Sequence, residues 1–157
     1  MILDMLSSYP NITAALIFLL FSIPISICDM RTMQIPDFLS IILSGILLCQ
    51  RLIFSRNMFF LYIICAVLSF ILFFLVRHIS RLGLGWGDIK YSPSCALACG
   101  IWCFPAFFAA SLFCALYFFI VKNHKNKNTD KKAPFAPFMT LGTLALSSIP
   151  IVQELLN

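Results

Sequence analysis

The 157 residues are 61% hydrophobic and 11% charged, with 17 phenylalanines and a mean hydropathy of +0.98. These values exclude a soluble globular domain and require lipid as the solvent for most of the surface. The six acids, Asp4, Asp29, Asp37, Asp88, Asp130 and Glu154, are dispersed along the chain, so the net charge of +5 does not describe a nucleic-acid groove and points to membrane orientation.

A crossing helix needs about 20 mostly apolar residues, with about 17 as the lower limit. On that rule the fold class is all-α and polytopic, with six transmembrane helices in one membrane-embedded domain, residues 1–157. They are expected at about 12–28, 38–54, 58–76, 88–104, 105–121 and 135–152. No Lys or Arg precedes the first run, so it reads as a retained span and not as a signal peptide. The run from Tyr91 to Val121 is nearly continuous, and only Gly100 and Pro105 suggest where it turns. Between the fifth and sixth helices lies the lysine-rich "KNHKNKNTDKK".

Seven cysteines fall within or at the ends of the apolar runs and read as small, reduced packing residues. Cys95, Cys99 and Cys103 recur every four residues, hence on one helix face, but further metal ligands are lacking nearby, and no metal site is expected. His78 and His124 sit among basic residues and read as solvated. Neither gives a serine or cysteine nucleophile a partner at the membrane border.

With six spans the loops alternate between sides. One side carries Arg31, Arg77, Arg81, Lys90, Lys122, Lys125, Lys127, Lys131 and Lys132, and the other only Arg51 and Arg56. The positive-inside rule then places both termini outside and the first, third and fifth loops in the cytoplasm. Asp29 ends the first helix as it reaches the cytoplasm, and Asp88 begins the fourth as it leaves. Two carboxylates are thereby expected at one depth and on one face.

Acids at the edge of the hydrocarbon are costly unless paired, wetted or functional. Taken singly, Asp29 has a simple explanation as a partner of Arg31, and Asp88 and Asp37 as helix N-terminal residues, Asp37 following Pro36. Together, beside Gly83, Gly85 and Gly87, they suggest more: glycines let a backbone approach closely, and two adjacent carboxyls sharing a proton can act as base on a water and as acid on a carbonyl.

"GWGD", Gly85 to Asp88, resembles the Gly-x-Gly-Asp motif of membrane aspartic proteases, and "GDIK" is similar to its form in type IV prepilin leader peptidases. "CDMRTMQIPDFLS", Cys28 to Ser40, resembles the first aspartate block of that family, and "APFAPFMTLG", Ala133 to Gly142, its closing Pro-Phe block. The resemblance covers about residues 12 to 152 and implies a catalytic dyad at Asp29 and Asp88. It implies removal of the short basic leader of prepilins or pseudopilins, after a glycine, at the cytoplasmic face of a bacterial inner membrane, in type IV pilus or type II secretion assembly. Lys90 and Arg31 are candidates to stabilise an ionised aspartate, or are ordinary charges of that side. Pro134 and Pro137 are candidates to hold a non-helical segment beside the site, or simply to turn the chain into the sixth helix.

Longer members of the family carry a zinc-binding insert between the first two helices. Here that loop is only Asp29 to Asp37 with no cysteine inside it, so a short form without structural zinc is expected. The peptidase chemistry needs no cofactor, and no motif carries the S-adenosylmethionine-dependent N-methylation that many full-length relatives also perform. Partners expected are the pilin-like substrate and the bilayer. Two other classes share the same aspartates: a small proton-coupled transporter or channel component, and an inactive pilus-assembly scaffold. A proton relay wants ionisable groups near helix centres, and apart from the terminal Arg51 the expected spans lack them.

Overall fold

The computed structural model describes residues 9–79, 84–124 and 134–156. Asp4, Arg81, Gly83, Lys125, Lys127, Asp130, Lys131 and Lys132 lie outside the described residues, as do the side chains of Lys122, His124 and Glu154. The described residues form six α-helices and no strand: α1 (Pro10–Thr32), α2 (Asp37–Phe54), α3 (Phe59–Ile79), α4 (Trp86–Cys99), α5 (Cys103–His124) and α6 (Ala136–Leu156). Single 3-10 turns, Arg56–Met58 and Gly100–Trp102, precede α3 and α5.

Apolarity ends a predicted span where charge begins, whereas a helix continues until its backbone is capped. So α1 runs past the expected end at 28, takes in Asp29, and stops where Met33 adopts the left-handed conformation (φ 54°) and its N–H donates to the Asp29 carbonyl at 2.9 Å. Pro10 opens α1 at a position where no amide donor is needed.

The larger departure concerns the fourth and fifth helices. Five stretches are long and apolar enough to cross a membrane, Pro10–Thr32, Asp37–Phe54, Arg56–Ile79, Trp86–Tyr117 and Ala136–Gln153, and not six. The helix break lies at Gly100, not at residues 104–105, so α4 has only 14 residues. At 1.5 Å per residue it rises about 21 Å, short of the roughly 30 Å hydrocarbon core. Gly100 takes φ +60°, and a Cβ there would lie 2.9 Å from the Tyr62 ring. Cys95 and Cys99 therefore close α4 while Cys103 opens α5, and the three do not share one helix face. All three are buried, as packing residues should be.

Contacts between side chains set the helix directions. Gln50 of α2 reaches Thr13 of α1 at 2.9 Å, while Asp37 lies near the other end of α1. Ser44 bonds Ser94 of α4 at 2.7 Å, and Arg51 reaches Leu97 farther along, so α2 and α4 run parallel. Phe74 packs on Trp86, whereas Tyr62 meets Gly100, making α3 antiparallel to α4. Gly142 lies against Ala106 and Phe138 against Tyr117, so α5 and α6 are antiparallel too. Successive helices alternate, and the C-termini of α1, α3 and α5 gather with the N-termini of α2, α4 and α6 at one end.

The short α4 is the centre of the bundle: Asp88, Ile89, Tyr91, Ser92 and every residue from Ser94 to Cys99 are buried. Large apolar side chains face outward instead, among them Leu20, Phe38, Phe60 and Phe108. That inversion suits a lipid solvent, where small and hydroxylic side chains join helices and apolar ones need no interior. Arg51 is the clearest case. Expected from sequence as an end-of-loop charge, it is fully buried, and its guanidinium donates to the carbonyls of Leu97 (2.9 Å) and Ala98 (2.7 Å) and to Asn11 Oδ1 (2.9 Å). The two carbonyls belong to the last turn of α4, which has no intrahelical donors for them. A cation there also meets the negative end of the helix dipole.

Candidate active site

Asp29 is held by backbone that the distant Pro-Phe block supplies, and Asp88 by its place at the start of α4. Asp29 lies in the last turn of α1 and is 6% exposed. Its Oδ2 accepts the N–H of Ala136 at 3.0 Å. Ala136 is the first residue of α6, so the carboxylate sits on the unfilled donors of a helix N-terminus. The Pro-Phe block explains why. Pro134 and Phe135 are non-helical, and Pro137 is the second residue of α6, where its missing N–H costs nothing.

Asp88 is the third residue of α4 and is 8% exposed. Its carboxylate turns back toward the backbone of Gly85, the residue that caps the helix, with Oδ2 3.0 Å from where a Gly85 Cβ would stand. A carboxylate at the third position, facing the cap residue, has the placement of the reciprocal half of a capping box. The simple reading of Asp88 as a helix N-terminal residue is thus correct locally, but it is incomplete, because Asp88 also lies close enough to Asp29 to feel its charge.

The two carboxylates share one cavity of about 600 Å³ at the end of the bundle where α1, α3 and α5 finish. Its walls are the α1–α2 connection from Cys28 to Asp37 and the start of α4 from Gly85 to Lys90. These are the first two sequence blocks facing one another. Gly87 makes the approach tight: a Cβ there would lie 2.6 Å from the Ile35 Cβ and 3.3 Å from its amide nitrogen. The space freed by this glycine is occupied by the chain's own Ile-Pro segment. Gly85 lines the cavity as well, and Trp86, half exposed, stands at its edge.

The remaining candidates separate. Lys90 lines the cavity, but its Nζ is hydrogen-bonded to the Asp37 carboxylate, tying α4 to the first turn of α2 across the mouth. Arg31 is exposed and is not a lining residue. Pro134 and Pro137 flank Ala136 without lining the cavity. Sequence reasoning missed Ile35 and Thr32 as wall residues, and it missed Arg77. The latter donates to the Leu84 carbonyl and lies over the Trp86 ring at 4.7 Å, clamping the segment ahead of Asp88. The aromatic Trp86 nine residues from a basic one was the available signal, and it is a weak one.

A site of two buried carboxylates on one cavity has the components for acid–base work on a water. Comparison of the chain with curated proteins and with solved structures returned no significant match. A model of the type IV leader peptidase family does match, over residues 16–120, which takes in Asp29 and the whole Gly85–Lys90 stretch but stops short of the Pro-Phe block. Two thirds of the chain fit that pattern in order, and the chain belongs to the type IV leader peptidase family, a family of proteases.

Proposed function

We propose that this protein is an aspartic endopeptidase that removes the short basic leader of type IV prepilins or pseudopilins, with Asp29 and Asp88 as its catalytic pair. The observation that carries the reading is the convergence of these two acids, from separate helices and separate motifs, on one cavity at one end of the bundle. One carboxylate takes a proton from a water whose oxygen attacks the scissile carbonyl carbon. The other, protonated, gives its proton to the carbonyl oxygen. The tetrahedral adduct then collapses, the C–N bond breaks, and the amine leaves with a proton returned from the dyad. The Ala136 backbone donor holds Asp29, and the helix start that carries Asp88 holds the second carboxylate, through the cycle.

The lysine and arginine distribution supports an orientation with the site end toward the cytoplasm and both termini outside, in a bacterial inner membrane. Burial of Arg51 strengthens the asymmetry, because it leaves Arg56 as the basic residue of that opposite loop. The alternation of helix direction supports the six-helix reading, with α4 and α5 together forming one apolar stretch broken at Gly100. A cytoplasmic site suits a substrate whose basic leader remains inside while its apolar helix lies in the bilayer. The chain would thereby serve type IV pilus or type II secretion assembly.

Co-expression with a prepilin bearing a basic leader and a glycine at the cleavage site tests the reading on gels. Leader removal is expected with the native chain and lost in Asp29→Ala and in Asp88→Ala, with both variants still inserted. Cleavage persisting in either one sinks the dyad.

A further inference from the structure

The stretch ahead of Asp88 is gripped from the end of α3 by an arginine. Arg77 lies in the last turn of α3. Its Nη1 donates to the carbonyl of Leu84, and the face of its guanidinium lies 4.7 Å from the centre of the Trp86 ring. Trp86 also packs on Phe74, with ring centres 6.4 Å apart. The two Arg77 contacts bracket Gly85. The Asp88 carboxylate turns back toward the backbone of that residue, and a Cβ built on Gly85 would stand 3.0 Å from Asp88 Oδ2.

The carbonyl held by Arg77 and the N–H toward which the Asp88 carboxylate turns belong to the same peptide group, the one joining Leu84 to Gly85. A peptide group is planar, so fixing the direction of its oxygen fixes the direction of its hydrogen. A cationic donor on the oxygen also polarises the group and strengthens the N–H as a donor. We infer that Arg77 is a positioning residue for Asp88, acting through the Leu84–Gly85 peptide group. This deepens the peptidase reading and rests on it. The competing role is that of a basic residue at a helix C-terminus, which any cation would fill. Lysine separates the two: it keeps the charge, but it has no planar fork to stack on an indole while bonding a carbonyl.

The test uses the full chain in detergent or proteoliposomes with a Trp102→Phe background, which leaves Trp86 as the only indole, since the protein has two tryptophans. Arg77→Lys and Arg77→Met are compared with the parent by acrylamide quenching of Trp86 and by prepilin cleavage kinetics, with far-UV circular dichroism as the check on folding. Expected are greater quenching in both variants and a fall of about tenfold or more in kcat, with KM within about twofold, because the scissile bond is still bound while a catalytic carboxylate is misaimed. Full activity in Arg77→Lys overturns the inference in favour of simple charge at the helix end. Unchanged quenching overturns the clamp, and increased quenching with unchanged kcat overturns the positioning. A parent protein that cleaves no prepilin fails the peptidase reading and the catalytic part of this inference with it, while the quenching result still decides the clamp by itself.

Discussion

Gly87→Ala puts the smallest side chain at the tightest point of the site. Its Cβ would come 2.6 Å from the Ile35 Cβ, about 1 Å inside the roughly 3.5–4.0 Å at which carbon atoms pack. Both atoms are fixed to backbone, so no rotamer change relieves the contact, and the α1–α2 connection must move away from α4. Overpacking of this kind costs about 1–3 kcal/mol. A displacement near 1 Å between two catalytic groups is enough for about a hundredfold loss of rate. The contact also dictates the rescue. Ile35→Ala retains the offending Cβ and is expected to restore nothing, whereas Ile35→Gly removes it and leaves the Ile35 nitrogen at a tight but tolerable 3.3 Å. The assay is cleavage rate together with thermal unfolding in detergent for Gly87→Ala alone, combined with Ile35→Ala, and combined with Ile35→Gly, each set against the same protein with Gly87 kept. A coupling of about 1–2 kcal/mol between Gly87→Ala and Ile35→Gly is expected. A Gly87→Ala protein with native rate and stability, or an equal loss in all three backgrounds, refutes the close-approach argument.

Asp29→Asn and Asp29→Ala are both expected to be inactive but to differ in stability. Asn retains an acceptor for Ala136, whereas Ala leaves a buried amide unmet at a cost of about 1–3 kcal/mol, read in detergent unfolding. Arg51→Leu strips the charged donors from the Leu97 and Ala98 carbonyls and is expected to lower stability by about 3 kcal/mol, with kcat per folded molecule kept because the site is at the opposite end of the bundle. Lys90→Ala breaks only the exposed pair with Asp37. It should change stability by about 1 kcal/mol or less and cleavage by less than about threefold, and a much larger loss would mean that Lys90 acts on the dyad itself. Cleavage plotted against pH is expected to be bell-shaped, since one carboxyl must be ionised while its partner is protonated, and a rate independent of pH between roughly 4 and 9 would contradict a shared-proton pair.

Much of the site was legible because its parts are local. A run of apolar residues ending in Asp29, a Pro before Asp37 and a glycine-rich start to α4 are readable one segment at a time. Alternation of spans then puts the two acids at one end with no further information. The Pro-Phe block was legible as a non-helical lead into the last helix, but not as the source of the amide that holds Asp29. That contact joins residues 29 and 136, and nothing in either segment names the other.

The amino-acid sequence by itself determined that the chain is helical and strongly apolar, where each helix begins to within about two residues, and that Asp29 and Asp88 fall at one end of the bundle. Composition, capping residues and the alternation of spans act locally or by counting, so they need no coordinates. Tertiary structure alone decided where the chain breaks between α4 and α5, that Arg51 is an internal cap and not a loop charge, that Lys90 is engaged by Asp37, and that Gly87 accommodates Ile35. Each of these depends on which backbone carbonyl, carboxylate or Cβ arrives from a distant segment. In a membrane interior with little water to take its place, that arrival is what satisfies the buried polar group or leaves it costly.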